Sequence, residues 1–152
     1  MKISILIYCF LISLSLSQQL DVTFRYVKEP TESFNRIFVP GTMPDGTSND
    51  WGPNSNGVIS PSAPSQMLYN ENNDSYEKSY SLQIGEEYLY KLHFHYNASG
   101  GDYAWVSDPM NPETTSDGWD NSVLYVTDPL FFQPARHLND DGMVNGLSLG
   151  IH

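Results

Sequence analysis

The sequence predicts an all-β fold, an antiparallel β-sandwich, and three observations carry that prediction. Apolar and polar residues alternate with period two in several short runs, the pattern of strands buried on one face. Clusters of Gly, Pro, Asn, Asp and Ser, such as NENND, NASGGD and NPETTSDG, separate those runs. Past the N-terminal segment no helical apolar period intervenes, so sheet must pack on sheet.

Each run supplies an element. Val22, Phe24 and Tyr26 share one face of a first strand, with Thr23 and Arg25 on the other. Ile37, Phe38 and Val39 make a second, closed by Pro40-Gly41, and Tyr80, Leu82 and Ile84 a third, ending at Gly85. In YLYKLHFHY, Tyr88, Tyr90, Leu92, Phe94 and Tyr96 are expected to face the core, and Leu89, Lys91, His93 and His95 to face outward. A further strand covers residues 122–126. After Asp128-Pro129 the pattern changes. Val144, Leu147, Leu149 and Ile151 read as a strand whose partners are missing, with a strand folded back onto the sandwich as the alternative. The organisation predicted is therefore a leader over 1–17, the sandwich over 18–127, and the truncated start of a following segment or domain over 128–152.

The leader sets the compartment. Met1-Lys2, the apolar run ISILIYCFLISLSL and Ser15-Leu16-Ser17 ahead of Gln18 have the form of a secretory signal peptide. The run is shorter than the ~20 residues that span a bilayer as a helix. The mature chain is expected to begin at or near Gln18, free of the membrane and secreted or held within the secretory or lysosomal pathway. Cys9, the only cysteine, leaves with the leader, so the mature domain holds together without a disulfide. Asn73 and Asn97 stand in N-x-S sequons and are glycosylation candidates.

Charge narrows the partners. Seven Lys and Arg oppose eighteen Asp and Glu, a net charge of −11. Such a surface repels phosphate backbones and anionic lipid, which argues against nucleic acid and membrane surfaces, and it leaves a neutral ligand unopposed. No nucleotide, serine-hydrolase or thiol motif is present, and the sequence calls for no cofactor.

Trp51, Trp105 and Trp119 all lie among turn residues, in GTMPDGTSNDWGPNSNG, GDYAWVSDP and SDGWDN. An indole carries a large apolar surface, so three of them in predicted loops point to a flat ligand. A pyranose has a C–H face that packs on an indole and a hydroxyl rim that needs donors and acceptors. Lys91, on the predicted polar strand face, and Asn121, which opens the last strand, could supply them.

The order VTFRY, VPGT…NDW, YKLHF, Trp105 followed by Asp108-Pro109, and NSV resembles the family-48 carbohydrate-binding modules over residues 22–127. These immunoglobulin-like domains of the early-set type precede isoamylase, branching-enzyme and pullulanase-type catalytic domains. The resemblance implies a non-catalytic module for α-1,4-glucan, meaning starch, glycogen or maltodextrin. It also implies a downstream catalytic domain of the α-amylase superfamily. Trp51 matches the family's first stacking tryptophan, Lys91 its strand lysine, Trp105 its second tryptophan and Asn121 the asparagine of the ligand site. His93 and Trp119 are further candidate contacts. The chain departs from the family in the long stretch GPNSNGVISPSAPSQ after Trp51, in NASGGDYA ahead of Trp105, and at Asp117, where the family has an apolar residue.

Two other chemistries compete. Asp108, Glu113 and Asp117 are close in sequence, but a glycosidase of that superfamily needs a barrel of ~250 residues. No catalytic residue is assigned. His93 and His95 share a strand face in the manner of zinc or copper ligands, but a third ligand is needed, and the remaining histidines, His137 and His152, lie in the tail. Both are read as sheet-surface residues, and no metal site is assigned. The remaining alternative is a sandwich spacer or protein-interaction domain without sugar binding.

Overall fold

The computed structural model describes residues 18–46 and 51–127 in full and Leu147–Ile151 by its backbone. The expected leader, Val144, His137 and His152 lie outside the described residues. All regular structure among the described residues is strand, and none of it forms a helix long and apolar enough to cross a membrane. The strands are β1 (Gln19–Tyr26), β2 (Arg36–Phe38), β3 (Asn54–Ser55), β4 (Val58–Ile59), β5 (Leu68–Asn70), β6 (Ser75–Gln83), β7 (Glu87–Tyr90), β8 (Leu92–His95), β9 (Tyr103–Val106), β10 (Ser122–Tyr125) and β11 (Leu147–Ile151). Every ladder between them is antiparallel.

One layer has the order β11-β1-β6-β5. β1 pairs with β6 along its whole length, from Gln19 opposite Gln83 to Tyr26 opposite Tyr76. Its other edge pairs with β11, Val22 lying opposite Ile151 and Tyr26 opposite Leu147. The strand read at Leu147 to Ile151 as lacking partners therefore has one, the free edge of β1. The other layer is built from β2-β8-β9 and β7-β10. These two ladders come from one predicted strand, which breaks at Lys91. That residue belongs to neither ladder, and its N–H donates to Pro40 O at 3.1 Å. Gly41 makes the close approach there possible. A Cβ on it would sit 2.1 Å from the Leu89 carbonyl oxygen, so no larger residue fits without moving backbone.

The core between the layers is aromatic. Val22, Phe24 and Tyr26 from β1, Tyr80 and Leu82 from β6, and Tyr90, Leu92 and Phe94 from the broken strand form one buried cluster. Rings meet across the layers edge to face, Phe24 on Tyr90 at 5.0 Å and Tyr26 on Phe94 at 5.5 Å. The Tyr80 hydroxyl donates to Val39 O at 2.9 Å, which satisfies a buried polar group. Alternation thus placed the inward set, except that Tyr96, beyond the end of β8, is exposed.

The outward set departs from expectation. His93 and His95 are both fully buried, not surface residues. The long stretch after Trp51 folds back over the outer face of β8 and buries Ile59 and Ala63 against Phe38, with Trp105 alongside. Val39 N donates to Ser65 O and Met67 N to Ile37 O, which stitches the far end of that cover along β2. A strand covered on both faces carries no polar side to read.

Candidate functional site

Trp51, Asn54, Gly57, Lys91, Trp105, Trp119 and Asn121 line one cleft of about 580 Å³. The four residues carried by the family resemblance and the further candidate Trp119 are thus brought together, from four separate stretches of chain. His93 is not among the lining residues. It sits behind Trp105, ring centroids 4.5 Å apart.

Trp51 occupies the left-handed region, with φ of 62°. For a bulky residue that conformation costs about 1–3 kcal/mol and persists only where neighbours impose it. Here its N–H donates to Gly41 O at 3.1 Å, and the Asn54 amide donates to its carbonyl at 2.8 Å. The indole stays partly exposed.

Asn54 and Gly57 reach the cleft through a two-stranded hairpin, β3 with β4, turning on Asn56-Gly57. Both turn residues have positive φ, 52° and 83°, as the tight turns that match strand twist require. The sequence reading missed these two lining residues, although Asn-Gly is the strongest short-range hairpin signal.

Trp105 was expected in a loop. It lies instead on β9, opposite His93. Its Nε1–H donates to Gly57 O at 2.6 Å, so the hairpin and β9 hold each other. The ring centroids of Trp51 and Trp105 are 6.4 Å apart with their planes inclined at 53°. Together they make a folded aromatic wall.

The opposite rim is the segment 107–121, and a buried polar network fixes it. Tyr90 donates to Asp108 Oδ2 at 2.7 Å, Asp108 N donates to Ser122 Oγ at 2.8 Å, and Met110 N donates to Asp108 Oδ1 at 2.9 Å. Burial pushes the Asp108 carboxyl above its ordinary range, and its hydrogen bonds from Tyr90 and Met110 oppose that. Burial, then the Asp108 charge, raises the Tyr90 hydroxyl in turn. Asp108 therefore ties the rim to the core and does not line the cleft.

Above that anchor, Thr115 N donates to Asn121 O at 2.8 Å and Asn121 N to Thr115 Oγ1 at 3.1 Å. The Asp117 carboxylate accepts from Thr115 Oγ1 at 2.7 Å and from Trp119 N at 3.0 Å. Those two bonds, with a lesser contribution from the Lys91 charge, hold Asp117 below the usual carboxylate range. Trp119 is 73% exposed on this tethered loop. Its backbone is held while its indole stands in water at the cleft.

Of the glycosylation candidates, both asparagines are exposed. Asn73 donates through its amide to Glu77 Oε1 at 2.8 Å, and the Asn97 amide oxygen accepts from Ser99. Among the described residues no group of three or more His, Cys, Asp or Glu is placed to hold a metal ion.

No family model, curated protein or solved structure matches the chain.

Proposed function

We propose that this chain is a non-catalytic α-glucan-binding module on an immunoglobulin-like sandwich of the early-set type. In this reading it serves as the N-terminal accessory domain of an exported glycoside hydrolase of the α-amylase superfamily. The observation that supports the reading is the convergence of Trp51, Trp105, Trp119, Lys91 and Asn121 on one cleft. Indoles offer the C–H face of a pyranose its partner, while an ammonium and amides serve the hydroxyl rim.

The tilt of the wall favours one linkage. A β-1,4-glucan is a flat ribbon whose successive rings match coplanar aromatics. An α-1,4 chain turns from residue to residue, and its C–H faces meet rings set at an angle, here 53°. The acidic surface does not oppose a neutral polysaccharide, whereas it repels anionic ones.

Electrophoresis of the folded protein through native gels cast with soluble starch, or with a soluble β-1,4-glucan, tests this reading. Retardation by starch alone is the expected result. Free mobility in the starch gel would sink the proposal and leave a sandwich that acts as spacer or protein-interaction domain. Equal retardation in both gels would refute the linkage argument.

A further inference from the structure

The outer face of β8 contains a pair of groups that sugar binding does not use. His93 and His95 are fully buried with ring centroids 5.0 Å apart. His93 Nε2 accepts the N–H of Ile59 at 3.3 Å, so in the neutral ring Nε2 is the lone pair and Nδ1 carries the proton. Among the described residues that Nδ1 has no hydrogen-bond partner, and neither nitrogen of His95 has one. Unpaired buried polar groups are rare and costly, so three on two adjacent rings need a reason.

The surroundings hold both rings neutral. Phe38 packs on both, at 6.0 Å from His93 and 4.8 Å from His95, and Tyr103 lies tilted against His93 at 5.4 Å. Arg36 lies in register opposite His95 on β2, and Gly100 closes against His95, where a Cβ would come within 2.9 Å of Cε1. Burial lowers His93 to about 4, with His95 adding to the effect. Burial, then the Arg36 charge, lowers His95. No carboxylate contributes to either shift.

A proton and the Ile59 amide compete for the same lone pair. Once Nε2 is protonated it presents N–H to N–H, and the Ile59 bond is lost. The charge left under the cover has no counter-ion among the described residues. The cheapest relief is to lift what covers it, and that is the short β3–β4 hairpin. The same hairpin supplies Asn54 and Gly57 to the cleft and holds the Trp105 indole through Gly57 O.

We propose that His93 and His95 form an acid-sensitive latch beneath the β3–β4 hairpin. When His93 Nε2 takes a proton it releases the Ile59 amide, the hairpin lifts, and the wall of the cleft formed by Trp105 is dismantled. The sign follows from linkage. His93 titrates lower in the closed state than the ordinary 6.5 it regains when open, so the latch is fully closed above that value. It weakens progressively as pH falls toward about 4. Release of bound glucan on acidification is the consequence, and that consequence rests on the glucan-binding proposal. The latch itself does not.

Amide exchange of Ile59, expressed as protection relative to intrinsic rates, tests the latch without any ligand. Protection is expected to fall by about two orders of magnitude between pH 6.5 and 4. Val126, whose N–H bonds Glu86 O in the distant β7–β10 region, should keep its protection. His93→Gln retains an amide oxygen to accept from Ile59 and cannot be charged, so its profile should be flat. Parallel loss at Ile59 and Val126 would signify global acid unfolding and overturn the latch. So would an unchanged Ile59, or a His93→Gln profile like that of the wild type. If His93→Gln does not fold, the wild-type contrast between Ile59 and Val126 decides alone. Starch retardation at pH 7 and pH 4.5 then separates the two proposals. A protein that shows the exchange pattern but binds starch at neither pH keeps its latch and loses the glucan reading.

Discussion

Leu92→Ala is expected to destabilise the domain by about 2–5 kcal/mol, and His93→Ala, one residue on, to be costly as well. Leu92 is 1% exposed in the main core beside Phe24, Tyr90 and Phe94, and a vacated site among rigid rings collapses poorly. His93 faces the other way, yet it is equally inaccessible, lying between Phe38, Trp105 and the hairpin. Its removal leaves the Ile59 N–H unpaired, worth about 1–3 kcal/mol. It also undoes the packing of an aromatic ring. Since a domain of this size is stable by only about 5–15 kcal/mol, either change takes a large share. Urea midpoints at neutral pH, with slopes compared to exclude a change in the unfolded state, measure both. Tyr96→Ala, on an exposed ring, should shift the midpoint little. A His93→Ala midpoint equal to the wild type would show that the cover over β8 contributes nothing to stability.

That pair of residues marks where sequence reading stops. Val22, Phe24 and Tyr26, and again Tyr90, Leu92 and Phe94, were legible as inward sets, because each alternates with residues of different polarity and a two-layer core accepts one face per strand. His93 and His95 were misread by the same rule. Alternation tells which residues differ, and the second face of β8 is buried by a segment that starts forty residues earlier. Nothing local to LHFH announces that cover. Only the Asn56-Gly57 turn and the apolar Val58-Ile59 after it hint that the stretch folds back.

The site was legible in the opposite sense. Trp51, Lys91, Trp105 and Asn121 lie far apart in the chain and were assembled by resemblance. Composition alone showed three tryptophans among turn residues. Assigning Trp105 to a loop failed because Gly100-Gly101-Asp102 and Ser107-Asp108-Pro109 flank a strand only four residues long. Asn54 and Gly57 carried no signal beyond their turn.

The two indoles of the aromatic wall are expected to separate under mutation, and this contrast is the sharpest test of the binding proposal. Trp51→Ala should weaken maltoheptaose or starch binding ~5- to 150-fold, taking about 1–3 kcal/mol per stacked ring from aromatic–base stacking. Its melting temperature should fall little or even rise, since a partly exposed ring in a left-handed backbone contributes scant packing and alanine tolerates that backbone no worse. Trp105→Ala should lose binding to the same degree and stability too. Its indole packs against the Phe38–Ile59–Ala63 cluster and His93, and it is bonded to Gly57 O. Because the ring is only partly buried, the loss should lie toward the lower end of the roughly 3–5 kcal/mol of a core Trp truncation. Thermal melts beside starch-gel retardation on both variants read the two quantities separately. Should Trp51→Ala melt as early as Trp105→Ala while binding starch like the wild type, Trp51 is a packing residue and the cleft is not a glucan site.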